Sequence, residues 1–161
     1  MNAEPVVRTL GDVMIAEREL QELSRAESLS LLASVPVGRL VFTHHALPAI
    51  RPVNHLVDGG KIVIGLTPGS ALAQSAAADG VVVAYEADSL DAAEHTGWSV
   101  VVVGIALPET APDVLGTYRR LVRPWLSGAV SDVVSITCEF VTGYLLAAPG
   151  SEANISADAD Q

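Results

Sequence analysis

Apolar positions change their spacing several times along the chain, and each change predicts a different element. Residues 16–35, AERELQELSRAESLSLLASV, read as two short helices. Ser24 and Glu27 fit the S-x-x-E box, in which each side chain satisfies the other's backbone N–H at a helix start. Leu29, Leu32 and Ala33 then supply an apolar stripe, and Pro36 ends it. From residue 37 the period shortens to that of strands. VGRLVFT, PAIRPVNHLV and KIVIGL are joined by a turn around residues 44–47 and by Asp58-Gly59-Gly60, a strong turn signal. A helix is expected over residues 68–78, ended near Asp79-Gly80. The β-branched runs VVVAYEA and GWSVVVVGIAL read as strands. After them Val114, Leu115, Tyr118, Leu121 and Val122 recur at helical spacing until Arg123-Pro124. VVSITCEFVTGYLL closes the pattern as one long strand.

Strands that follow one another without alternating helices disfavour a doubly wound parallel sheet. A closed antiparallel barrel with helices across its ends fits better, an α+β chain that is mainly β. Residues 1–22 read as a lead with a short helix, 23–146 as the barrel domain, and 147–161 as a disordered, acidic tail.

Composition narrows the function. With 161 residues, half of them hydrophobic but 4% aromatic, the chain forms one domain around an aliphatic core. Nine basic against nineteen acidic residues give a net charge of −10, which argues against nucleic acid and anionic membranes as partners. Any phosphate site must then gather scarce cations; Lys61 is the only lysine. Cys138 is alone, so no intrachain disulfide and no cysteine-built zinc site is expected. The first residues lack the basic and apolar regions of a secretion signal, and no apolar run reaches the roughly 20 residues that span a bilayer. A cytoplasmic protein is expected.

Two stretches carry candidate chemistry. In LTPGSALAQSA, residues 66–76, Thr67 and Pro68 suit a helix start, whose free N–H groups and dipole attract a phosphate. The same residues would cap a helix with nothing bound. In IRPVNHL, Arg51 and Asn54 interrupt an apolar strand, and Pro52 removes a donor from it, which implies an edge or a bulge. A solvated arginine on an edge strand explains this equally. His44, His45, His55 and His95 lack convergent ligand spacing, so no metal site is expected. G-x-S-x-G and G-x-G-x-x-G are absent. Arg119, Arg120 and Arg123 read as a solvated helix face.

In order, VGRL, PVNH, TPGS and GWSV resemble the pyridoxamine 5′-phosphate oxidase-like flavoproteins over about residues 23 to 146. The resemblance implies a six-stranded antiparallel split β-barrel that forms a homodimer, with FMN, or the deazaflavin F420, at the subunit interface. By position, Arg51, Val53 and Asn54 would line the flavin, Thr67 and Ser70 would approach its phosphate, and Trp98 and Ser99 would complete the site from the other subunit. Relatives tend to read T-x-x-G-S-K where this chain has Ala71. The implied activity is that of a flavin-dependent oxidoreductase on a small organic molecule, with no catalytic residue named. The alternatives are an F420-dependent reductase and a non-catalytic binding or regulatory dimer that has lost or weakened its cofactor.

Overall fold

Short joints and β-branched runs produce a sheet whose strands all pair antiparallel, as a computed structural model covering residues 9–10, 13–14, 19–75, 79–122 and 130–148 shows. Two short strands, β1 (Thr9–Leu10) and β2 (Val13–Met14), pair with each other. β3 (Glu19–Leu23) leads into α1 (Arg25–Ala33). The meander β4 (Val37–His44), β5 (Leu47–Asp58) and β6 (Lys61–Leu66) precedes α2 (Ala71–Ser75). Next come β7 (Val81–Asp91), β8 (Thr96–Pro108), α3 (Pro112–Leu121), β9 (Asp132–Thr137) and β10 (Phe140–Ala147).

Six strands close a barrel in the order β8-β7-β4-β5-β6-β9, with β9 returning to β8. β8 is long enough to serve two partners on one edge. Residues 97–103 pair with β10, and residues 106–108 pair with β9. The chain therefore breaks between β9 and β10, where a single long strand was expected. Across this switch the Ile105 N–H is satisfied by the Thr137 side chain (3.0 Å) instead of a ladder carbonyl. A Cβ at Gly104 would run into the Thr137 carbonyl oxygen, so the crossing needs a glycine.

The barrel interior is aliphatic: Leu40, Ile62, Ile64, Val100, Val102 and Ile136 are buried. α1 plugs one side with Leu32. Its capping box is formed, with Ser24 accepting from Glu27 N–H and the Glu27 carboxylate accepting from Ser24 N–H. Ser28, not Ala33, joins Leu32 on the buried face. Residues 19–23, expected to be helical, form β3 instead. The edge of β10 lies open beside them, and pairing Leu23 with Gly143 buries the leucine, a gain no local propensity records. α3 covers the opposite wall through Leu115, Tyr118 and Val122, packed on Val63 and Val133, while Leu121 stays exposed. The helix ends at Leu121, capped by Val122, and the stop expected at Arg123-Pro124 lies outside the described residues. The tail expected over 147–161 is corrected at its start, because Ala147 pairs with Glu19 at the end of β10 and is buried; residues 149–161 lie outside the described residues. No helix among the described residues is long and apolar enough to cross a membrane.

One polar cluster sits inside. His55 on β5 is 7% exposed and Tyr85 on β7 is fully buried. The His55 Nε2–H donates to the Leu32 carbonyl (2.8 Å), which leaves Nδ1 to accept from the Tyr85 hydroxyl (2.5 Å). Gly38 provides the room, since a Cβ there would meet the Tyr85 hydroxyl. This network joins α1, β5 and β7.

Gly104→Ala should cost at least about 2–3 kcal/mol in urea unfolding, because the clash is with backbone and cannot be relieved by a rotamer change; an unchanged midpoint would contradict the tight β8–β9 closure. Burial pushes the His55 imidazole below its ordinary 6.5, outweighing the opposite pull of its hydrogen bond to Leu32. The unfolded chain thus binds this proton more readily than the folded one. The contribution is full above pH 6.5 and is lost as pH falls through the depressed value, with a slope of at most about 1.4 kcal/mol per unit. Urea midpoints measured from pH 8 to 5 should fall below 6.5 and lose that dependence in His55→Gln.

Candidate functional site

β5 loses one neighbour halfway along. Its ladder to β6 runs only from His55↔Ile64 to Asp58↔Lys61, whereas its ladder to β4 continues from Asn54 to Leu47. Residues 47–54 therefore present one edge with no strand against it among the described residues. Pro52 falls in this span, where a missing N–H breaks no ladder. The consequence is visible along one cross-strand row, Arg51–Leu40–Tyr85–Val102, all on the interior face. Leu40, Tyr85 and Val102 are buried, but Arg51 is exposed because β6 has already turned away.

β6 leaves at Leu66 into a turn in which Ser70 N–H donates to the Thr67 carbonyl (3.2 Å). Gly69 has a φ of +70°, a left-handed conformation that suits glycine and cannot continue a right-handed helix. The helix therefore starts three residues after the expected Pro68, and Ser70, not Thr67, caps it, accepting from Ala73 N–H at 3.3 Å. Residues 76–78, the expected end of this helix, lie outside the described residues. Gln74 Nε2 donates back to the Gly69 carbonyl (3.1 Å), fastening the turn.

Between the turn and the uncovered strand lies a cavity of about 580 Å³. Leu40, Phe42 and Val53 form its floor, and Leu66, Leu72 and Val122 face them. Arg51, Asn54, Thr67 and Ser70 supply its polar groups. The volume is ordinary for a small-molecule site, as is a mostly apolar wall with a few polar groups. Five of the expected residues, Arg51, Val53, Asn54, Thr67 and Ser70, thus meet in one place. Trp98 and Ser99 do not line it. They sit on β8 opposite Ser89 and Asp88 of β7 and Leu145 and Tyr144 of β10, with Trp98 packed against the main core. Leu40, Phe42 and Leu72 were not foreseen. Alternation along β4 puts Leu40 and Phe42 on one face, but only the β4–β5 register reveals that Arg51 and Ala49 share it.

Charge in the cavity is sparse. Arg51 is the one cation among its described residues, and it donates to the Ile50 carbonyl at 2.8 Å. Lys61, at the opposite end of β6 and paired with Asp58, is not part of the lining. Arg39, on the outer face, is engaged by Glu86 and Asp88 at 3.2 Å each. The histidines are elsewhere: His55 is in the core, and His44 and His45 meet edge-to-face, ring centroids 4.0 Å apart, at the tip of the β4–β5 hairpin. Among the described residues no three His, Cys, Asp or Glu side chains gather as a metal site. A second, smaller cavity of about 260 Å³ lies on the other side of α2, beside Gln74, Glu109, Arg119 and Asp132. Its charged groups are already engaged: Arg119 donates to the Ser131 carbonyl, Glu109 accepts from Ser135 and Asp132 from Ser131.

Known proteins share the family pattern and the fold. A family model described as pyridoxamine 5′-phosphate oxidase matches residues 24–145. The protein Rv0080 of Mycobacterium tuberculosis is 52% identical over 134 residues, which is 81% of this chain and 88% of that one. A crystal structure of a Corynebacterium glutamicum protein, whose name likens it to pyridoxamine 5′-phosphate oxidase, superposes with a TM-score of 0.67. The two are 28% identical, over 80% of this chain and 94% of that one. The FAD binding protein from Mycobacterium smegmatis superposes with a TM-score of 0.61 at 26% identity, covering 79% of this chain and 98% of that one.

Proposed function

The chain belongs to the pyridoxamine 5′-phosphate oxidase family, and from that premise we propose that it is a cytoplasmic, flavin-binding oxidoreductase of small organic molecules, with FMN held in the larger cavity. The observation that carries this reading is the meeting of Arg51, Val53, Asn54, Thr67 and Ser70 around one cavity with an apolar floor. Leu40, Phe42 and Val53 would take the ring system, and Asn54 would meet its polar edge. The Thr67 and Ser70 hydroxyls and Arg51 would take the ribityl phosphate. The bound flavin supplies hydride or electron transfer; the protein orients it and keeps water from its apolar face.

The phosphate grip is weaker than the family pattern. With Ala71 in place of a lysine, Arg51 is left as the cation among the described lining residues. One lost charge-assisted contact costs about 1.5–3 kcal/mol, one to two decades in affinity. This deficit also favours a second reading, a binding or regulatory dimer with weakened flavin affinity. It bears on cofactor choice too, since the phosphodiester of F420 carries one charge where the FMN phosphate carries up to two.

The outer face supports a dimer. One cross-strand row, Ile50–Val41–Ala84–Val103–Phe140, crosses five strands and is apolar throughout. Ile50 is 59% and Phe140 69% exposed, a patch that a second copy would cover. Of the two β8 residues expected to complete the site, Ser99 shares this outer face with Val101 and Val103 and would meet the partner there, whereas Trp98 faces the core.

Fluorescence titration should show FMN bound, but with an advantage over riboflavin of no more than about tenfold, because one arginine meets the phosphate. Ala71→Lys should widen that advantage by roughly one to two decades. If neither flavin nor F420 binds to either protein, the cavity is no flavin site. Val103→Glu, on the exposed face, should leave the fold intact and convert a dimer to monomer in sedimentation velocity, with flavin binding lost alongside. Unchanged sedimentation would rule this face out as the interface.

A further inference from the structure

Tyr85 and His55 are buried, bonded to each other and used by nothing in the proposed chemistry. We propose that they form a redox-active pair, in which Tyr85 gives up an electron to an outer-sphere one-electron oxidant while its hydroxyl proton passes to His55. The step balances within the pair. The Tyr85 O–H bond breaks, its electron leaves to the oxidant, and its proton forms a bond to Nδ1 of His55. The products are a neutral tyrosyl radical and an imidazolium, and a returning electron reverses both changes.

Three features set this pair apart from a merely satisfied core hydrogen bond. First, the proton acceptor is preset. The Leu32 carbonyl takes the Nε2–H at 2.8 Å, so the Nδ1 lone pair faces the Tyr85 hydroxyl at 2.5 Å, with no rearrangement needed before transfer. Second, simple deprotonation is closed off. Burial and the nearby Glu86 carboxylate push the phenol far above its ordinary range, despite the opposing Arg39, so the proton leaves only when an electron leaves with it. Third, the ring is fully buried against Gly38, where solvent and a second radical have no access, yet it lies one layer behind the cavity. Leu40 is its direct cross-strand partner, and Asn54 precedes His55 in the chain; both line that cavity. An oxidised group in the cavity would find Tyr85 as its nearest buried phenol, but the inference does not need the cavity to hold flavin.

The test uses the full chain with photogenerated tris(bipyridine)ruthenium(III) as oxidant and freeze-quenched electron paramagnetic resonance as readout. The chain has three tyrosines, so the background is the double variant Tyr118→Phe, Tyr144→Phe. This variant should give a tyrosyl signal that outlasts the signal from a Tyr85→Phe protein, which retains only the two less buried phenols. Adding Tyr85→Phe to the background should abolish it. The rate of Tyr85 oxidation, followed by transient absorption, should be independent of pH between about 7 and 9 and of buffer concentration, and slowed in D2O, since the first proton acceptor is the neutral His55 and not solvent. Absence of a tyrosyl signal in the folded background variant would overturn the proposal. So would an oxidation rate that rises with pH or with buffer base, which would send the proton directly to water. Where His55→Gln keeps the near-ultraviolet circular dichroism of the parent, the signal should be lost; its survival there would equally refute the role of His55.

Discussion

The site depends on β5 outrunning β6. Both strands begin from the Gly59-Gly60 turn, but β6 has six residues and β5 has twelve, so β5 continues alone for its distal half while β4 holds its other edge. The interior face of that half cannot be covered by the barrel. Every feature of the cavity follows from this mismatch: an arginine standing in an interior row, a proline tolerated within a strand, and an apolar floor open to one side. The turn at Thr67 and the short α2 bring the far wall, because β6 must go somewhere once it leaves the sheet. Closure at β8–β9 keeps the two walls at a fixed distance, and the His55–Tyr85–Leu32 network anchors β5 at the last residue before it departs from β6.

Much of this was legible in the residues. Alternation and turn signals gave the meander and its joints, and the capping box at Ser24 formed as written. Arg51 and Pro52 marked the uncovered strand because a charge and a missing donor are costly anywhere else in a barrel. What stayed hidden was long-range. Residues 19–23 carry helix-favouring Glu, Leu and Gln, and only the open edge of β10 makes them a strand. The break at Cys138-Glu139 depends on β8 sharing one edge between two partners, which no local pattern encodes. The second helix looked longer and earlier because Thr-Pro is a good start, while the left-handed Gly69 delays it. Trp98 and Ser99 stand apart from the cavity within one chain, and a single sequence gives no measure of what a second copy brings near.

Electrostatics connects the fold to the function. A chain with a net charge of −10 repels phosphates in general, so an anionic ligand must be held by placement of a few groups. Arg39 cannot help, since two carboxylates hold it on the outer face. Arg51 can, because its strand is uncovered. Removing the expected lysine at position 71 leaves the apolar floor intact and shifts the balance of affinity from the phosphate toward the ring.

The central claim is that a flavin lies against the uncovered half of β5, and backbone amide shift mapping tests it most directly. On addition of FMN to isotopically labelled protein, the largest shifts should fall on Leu40, Phe42, Arg51, Asn54 and the amides from Thr67 to Leu72. The smaller cavity beside Glu109 and Asp132 should stay silent. Shifts centred on that smaller cavity, or none anywhere at saturating FMN, would contradict the account.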